Sequence, residues 1–318
     1  MSKRIGCCVI GGAGFIGAWV VELLAAGGRD VTVVGRRPAP VRPLPAGVRY
    51  VSGDYGDSAL LERVLPGMEE VIDLAYSSVP KTSFEDPAAD IIDNLPPAVN
   101  LLAAASRKTL RKLVVVSSGG TVYGPAASLP LTEDHPTQPI SPYGITKLAV
   151  EKYAGMYFRL YGLPALCVRP GNPYGEGQRP FAAQGFVATA MAAVLTGREV
   201  ALYGEHGTVR DYLHVLDVAR GILAALESGT PGAVYNIGSG IGRSNRQVLD
   251  AIAPLAAAQG LALRLKVLPP RGFDVPANVL DSRRLRQVSG WQPGIDLEAG
   301  LARTWDWLSR QPLSAGAP

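Results

Sequence analysis

Apolar positions along the chain alternate between two textures. Residues 4–10 make a short, apolar, partly β-branched run that reads as a buried strand. Residues 15–26 then carry apolar side chains at helical spacing, and Gly27-Gly28 end them. The alternation repeats. Short apolar runs at 31–34, 48–51, 71–74 and 113–116 read as strands, and 59–65 and 88–107 as helices between them. A long helix over 143–160, opened by Pro142, precedes a strand at 165–169. Strands alternating with helices predict a parallel sheet covered by helices on both faces.

Past residue 169 the texture changes. Residues 171–185 are rich in Gly and Pro and read as loop. A helix over 186–195 and a short strand at 200–203 follow, and 215–227 and 234–237 return to the main sheet. Between 238 and 271 a further helix and strand fall outside the doubly wound pattern. The expected fold is α/β: a doubly wound parallel (Rossmann) sheet with a smaller, discontinuous α+β lobe. Residues 1–171 with 215–237 form the first unit, 172–214 with 238–312 the second, and 313–318 a loose tail.

Composition narrows the class. A chain of 318 residues is long for one core and suits two lobes. Hydrophobic content of 47% and charged content of 18% are globular values. The net charge of +4 comes from scattered basic residues, so no nucleic-acid partner is expected and a small anionic ligand suffices. Cys7, Cys8 and Cys167 fall in predicted strands, make no disulfide framework and fit a reducing, cytoplasmic setting. Ser2-Lys3-Arg4 and the apolar run to Val21 have the outline of a secretory leader, but five glycines interrupt that run. No stretch is long enough to span a bilayer, and no metal site is expected.

Two segments carry chemistry. Gly11, Gly14 and Gly17 follow the first strand and open the first helix. Such glycines allow a tight turn and close approach of backbone to a pyrophosphate, which meets the positive helix end. The first unit is therefore the dinucleotide-binding one. The second strand ends Val34-Gly35-Arg36-Arg37, where an NAD enzyme usually places an acid for the ribose 2′-hydroxyl. The acid is missing and two guanidinium groups can pair with a 2′-phosphate, so NADP is favoured over NAD. Asp54, after the third strand, is a candidate for the adenine amino group or a plain turn residue. Tyr143 and Lys147, at i and i+4, share a helix face. A nearby ammonium and a nicotinamide cation favour phenolate, letting Tyr143 act as a base, and Lys147 can also bond the nicotinamide ribose.

With these, Ser117-Ser118-Gly119-Gly120-Thr121-Val122-Tyr123-Gly124, Asn172-Pro173-Tyr174-Gly175, the run 209–215 and Tyr235-Asn236-Ile237-Gly238-Ser239-Gly240 stand in one order. Over residues 4 to about 310 the chain resembles the extended short-chain dehydrogenases/reductases of the NAD-dependent epimerase/dehydratase family, and within it the UDP-glucose 4-epimerase-like nucleotide-sugar enzymes. The resemblance implies cofactor contacts at Phe15, Ile16 and Asn94 as well. It implies a nucleotide-diphosphate sugar as partner, with Asn172 at the sugar-phosphate, Arg210 and Arg271 at the diphosphate, Asp274 at the uridine ribose and Tyr203 beside the uracil. Asn278 falls near a position that gates the sugar's C2 group. A homodimer through helices 88–107 and 143–160 is implied too.

The family's hydroxyl residue after the fifth strand falls, by spacing, on Gly119. Ser118, Thr121 or an ordered water then supplies the hydrogen bond, or Tyr143 acts without it, and a side chain at 119 should be tolerated. Gly120 and Thr121 stand where dehydratases resembling this chain carry an acidic pair. The expected activity is a UDP-hexose 4-epimerase working by transient C4 oxidation. The alternative is an NADPH-dependent reductase of a nucleotide-linked 4-keto-6-deoxy sugar. A non-catalytic dinucleotide-binding regulator would typically lose the Tyr/Lys pair that this chain keeps.

Overall fold

The short apolar runs lie side by side in one sheet. A computed structural model describes residues 4–182, 184–272 and 274–313. Ser2 and Lys3 of the leader-like start and residues 314–318 of the expected tail lie outside the described residues. Strands β1 (Gly6–Ile10), β2 (Asp30–Gly35), β3 (Arg49–Ser52), β4 (Glu70–Asp73), β5 (Lys112–Val116) and β6 (Ala165–Pro170) join β10 (Val234–Ile237) in the order β10-β6-β5-β4-β1-β2-β3. All their pairings are parallel. A strand covered on both faces needs apolar side chains on both, and every residue of β1 and β5 is buried.

Helices supply the two covers. On one face, α2 (Ser58–Val64), α4 (Pro87–Ala105) and α5 (Pro142–Tyr161) pack Leu61, Leu101 and Val150 onto Cys8, Ile10 and Val115. On the other, α1 (Phe15–Ala26) and α7 (Val215–Ser228) pack Val21, Leu24 and Ile222 onto Val9, Val33 and Val114. Local chemistry fixes where α5 begins. Ser141 caps its first turn by accepting from the Gly144 N–H at 3.1 Å, and Pro142 occupies the first turn, where its missing donor costs nothing. Tyr143 thus sits in the first turn and Lys147 one turn further. Between α2 and α4 lies the single-turn α3 (Pro80–Ser83).

The smaller lobe holds β7 (Asn172–Tyr174), β9 (Val209–His214), β11 (Gly242–Ser244) and β13 (Ala277–Asn278) in one sheet. Strands β8 (Val200–Tyr203) and β12 (Leu265–Leu268) form a separate parallel pair. Its core lies among α6 (Phe186–Leu195), α8 (Asn245–Ala257) and α10 (Leu297–Ser309). The 171–185 segment was expected as loop, yet β7 pairs with β9 inside it. Three residues with a proline among them are too few to show periodicity. In the short helix α9 (Arg283–Ser289), Leu285 joins Trp291 in the core under the large sheet.

Candidate active site

The C-terminal ends of β1, β2, β4 and β5 open on a cavity of about 610 Å³. Its floor is the glycine turn. Gly11 has a φ of +77°, and a Cβ there would lie 2.9 Å from the Ala75 nitrogen. A Cβ on Gly17 would strike the Gly11 carbonyl, so α1 can approach the turn only without one. Gly14 donates its N–H to that carbonyl at 2.9 Å, and Phe15 and Ile16 line the cavity as α1 starts. A bare backbone cradle at a helix N-terminus fits the pyrophosphate of a dinucleotide.

At the end of β2, Gly35, Arg36 and Arg37 also line the cavity, as do Tyr50 and Asp54. Asp54 accepts from the Gly56 N–H at 2.8 Å, so the turn role is present alongside exposure to the cavity. Asn94 is buried on α4. Its side-chain oxygen accepts from the Ser77 N–H at 2.7 Å, and its amide donates to the Asp90 carbonyl at 2.7 Å. It pins the 75–79 segment that walls the cavity.

Tyr143, Lys147 and Ser118 meet in this cavity. The neighbouring Ser118 hydroxyl favours the ionised form of the Tyr143 phenol. Burial works the other way and dominates, raising the phenol above its ordinary range. The lowering expected from Lys147 is therefore not what the side chains alone produce. Lys147 is itself lowered to about 8 by burial, partly offset by the Asp73, Glu151 and Asp90 carboxylates. Its ammonium donates to the Val116 carbonyl at 2.8 Å and lies 4.1 Å from the Tyr76 ring centroid, against 5.9 Å for Tyr143. Tyr76 also meets Tyr143 edge-on at 4.7 Å, so one ring braces both members of the pair. Behind them Asp90 accepts from the hydroxyls of Ser78 and Thr146, the latter at 2.7 Å.

The residues that follow strand five differ in direction. Ser118 faces the cavity, and Gly119 does not line it. A Cβ on Gly119 would lie 2.5 Å from a Leu280 methyl and 2.8 Å from the Arg169 carbonyl. The expectation that a side chain is tolerated at 119 is thus corrected: the position points into packed backbone. Thr121 does not line the cavity either, and its hydroxyl is buried without a partner among the described residues. Asn172 lies against Gly120, whose Cβ would sit 3.2 Å from the Asn172 oxygen. Asn278 donates to the Gly119 carbonyl at 2.9 Å.

The remaining candidates gather in the smaller lobe. The Arg271 guanidinium lies 4.2 Å from the Tyr203 ring centroid and bonds Asp274 at 2.8 Å. Arg210 donates to the Val275 carbonyl at 2.7 Å. Burial lowers the Arg210 guanidinium, and Arg271 nearby pushes the same way. Two neighbouring guanidiniums beside an aromatic ring suit a nucleoside diphosphate. None of these four lines the main cavity.

A model of the NAD dependent epimerase/dehydratase family matches residues 7–238. The chain belongs to that family. A UDP-glucose 4-epimerase of Mycolicibacterium smegmatis is 36% identical over 307 residues, spanning 94% of this chain and 97% of the relative. The solved UDP-glucose 4-epimerase of Thermotoga maritima with UDP-glucose has a TM-score of 0.90 at 33% identity, covering 95% of this chain and 98% of its own. That of Thermus thermophilus in complex with NAD gives 0.88 at 37%, covering 96% and 99%.

The Thermus complex corrects the cofactor expectation. A family member alike along nearly its whole length is bound to NAD, and the NADP preference drawn from Arg36 and Arg37 falls. Both arginines are exposed. A solvated guanidinium attracts any anion weakly, so the pair marks no 2′-phosphate site. Sequence reading also missed Tyr50, Tyr76, Asp90 and Thr146. Tyr76-Ser77-Ser78 carried one signal, being polar residues just past a parallel strand, where ligands bind. Thr146 lay inside the Tyr143–Lys147 motif. Asp90 gave none, because a carboxylate in a surface helix is usually solvated.

Proposed function

We propose that this family member is a UDP-hexose 4-epimerase working with NAD. The observation that carries the reading is Ser118, Tyr143 and Lys147 converging in the cavity that the glycine turn floors. Likeness to epimerases solved with UDP-glucose and with NAD supports it. NAD, when bound, supplies a reversible hydride acceptor for the sugar's C4. Tyr143 takes the 4-hydroxyl proton as C4 is oxidised and returns it after the ketone has presented its other face. Ser118 stabilises the phenolate that proton transfer requires. Lys147 holds positive charge beside the ring, fixed by the Val116 carbonyl and the Tyr76 face. The reductase reading leaned on NADP and loses its motive.

Arg210 and Arg271 bind the diphosphate, Tyr203 stacks on uracil, Asn172 meets the sugar-phosphate, and Asp274, oriented by Arg271, takes the uridine ribose. The dinucleotide unit is 1–171 with 215–237, and the substrate unit 172–214 with 238–312. The outer faces of α4 and α5 expose Ile92 at 66%, Ile145 at 55% and Leu160 at 69%, which supports a homodimer through these helices. Among the described residues no helix is long and apolar enough to cross a membrane. Three buried free thiols suit the cytoplasm. The test is interconversion of UDP-glucose and UDP-galactose without added cofactor, with mass spectrometry of the small molecules released on denaturation. Release of NAD with interconversion supports the reading; no interconversion by NAD-loaded protein refutes it.

A further inference from the structure

Gly35 stands where the ribose-binding acid is usual, and the structure shows what fills its place. Strands β2 and β3 pair in parallel with Val33 opposite Tyr50 and Gly35 opposite Ser52. The Tyr50 ring leans forward along the strands until it covers Gly35. A Cβ at 35 would lie 2.7 Å from the phenol oxygen and 3.3 Å from the nearest ring carbon. An acid at 35 would have to displace the Tyr50 phenol from where it lies. Both residues line the cavity.

The phenol's hydrogen bonding is also constrained. Tyr50 donates to the Arg37 carbonyl at 2.8 Å. A carbonyl only accepts, so the one phenol proton is committed there. What remains on the oxygen are lone pairs. Toward the cavity, then, Tyr50 presents acceptor capacity alone, as a carboxylate would, but without the charge.

We infer that Tyr50 takes over the role of the missing acid and accepts the hydrogen bond of the adenosine 2′-hydroxyl. The inference rests on the reading that the cofactor is NAD. It also gives that reading a local cause. A hydroxyl brings a proton to an acceptor-only oxygen, whereas a 2′-phosphate brings further lone pairs and meets none of the donors it needs from Tyr50. Arg36 and Arg37 add general attraction for an anionic dinucleotide, and Tyr50 adds the discrimination.

The experiment is a two-by-two comparison of binding, read without turnover. The full chain, freed of retained nucleotide, and its Tyr50→Phe variant are each titrated calorimetrically with NAD and with NAD lacking the adenosine 2′-hydroxyl. Phe keeps the ring over Gly35 and removes only the oxygen. One neutral hydrogen bond corresponds to about a 2–10-fold change in Kd. The wild-type chain should lose that factor on the deoxy cofactor, and Tyr50→Phe should lose it on NAD. The two changes together should cost no more than either alone. Losses that multiply, or equal wild-type affinity for both cofactors, overturn the inference while leaving the NAD reading intact. Failure of the wild-type chain to bind NAD at all overturns both. The wild-type half needs no variant and stands even if Tyr50→Phe folds poorly.

Discussion

Ser118→Ala isolates the contact on which the proton-transfer role of Tyr143 depends. Burial raises the phenol, and the neighbouring Ser118 hydroxyl opposes this by favouring the charged form. A hydrogen bond to a charged group contributes about 1.5–3 kcal/mol. That energy is realised as the phenolate forms, so its loss falls on the barrier and cuts kcat by about ten- to over a hundred-fold. The sign on pH follows. A base works when deprotonated, and removing a contact that lowers its pKa raises that pKa. The acid-side limb of kcat/KM should therefore move to higher pH, while KM for UDP-galactose changes less than kcat. A coupled assay of UDP-galactose conversion across pH measures all three. Thr121→Val is the matched control, because Thr121 does not line the cavity. A rate within threefold of wild type for Ser118→Ala, an unmoved limb, or an equal loss in Thr121→Val would refute the assignment.

Other outcomes are expected from separate contacts. Tyr143→Phe should abolish epimerisation while the released NAD per chain, measured by mass spectrometry, stays unchanged; turnover within a few-fold of wild type would remove Tyr143 from the chemistry. Gly119→Ser should lower thermal stability, since its Cβ meets the Arg169 carbonyl at 2.8 Å and the Pro170 carbonyl at 3.0 Å. Overpacking of this kind costs about 1–3 kcal/mol, and an unchanged Tm would show that the loop yields freely. Glu151→Gln should be more damaging, because it leaves the buried Arg169 charge uncompensated and replaces one of the two acceptors, now at 2.9 and 2.6 Å, with a donor. Breaking such a pair costs about 3–5 kcal/mol, readable as a fall in the denaturant midpoint at constant slope.

The sheet was legible because its signals are local and redundant. A run such as Leu113–Val116 must be apolar on both faces to lie inside a doubly covered sheet, and helices between such runs leave little choice of topology. The glycine turn and the Tyr143–Lys147 pair were legible for a related reason. Each is a constraint within seven residues of chain, and backbone geometry alone turns spacing into proximity. The strand-five hydroxyl was legible only as a choice between Ser118 and Thr121, because alternation that orders side chains along β5 ends at Val116. Beyond it, direction depends on how the loop leaves the sheet, and a count along the sequence falls on Gly119 where the cavity receives Ser118. Cofactor choice failed on the same ground in three dimensions. The space over Gly35 is filled by Tyr50, fifteen residues later and one strand over, which the missing acid seen in sequence could not show. A sequence motif that loses its expected side chain is informative only when the neighbouring strand has been asked what moved into the space.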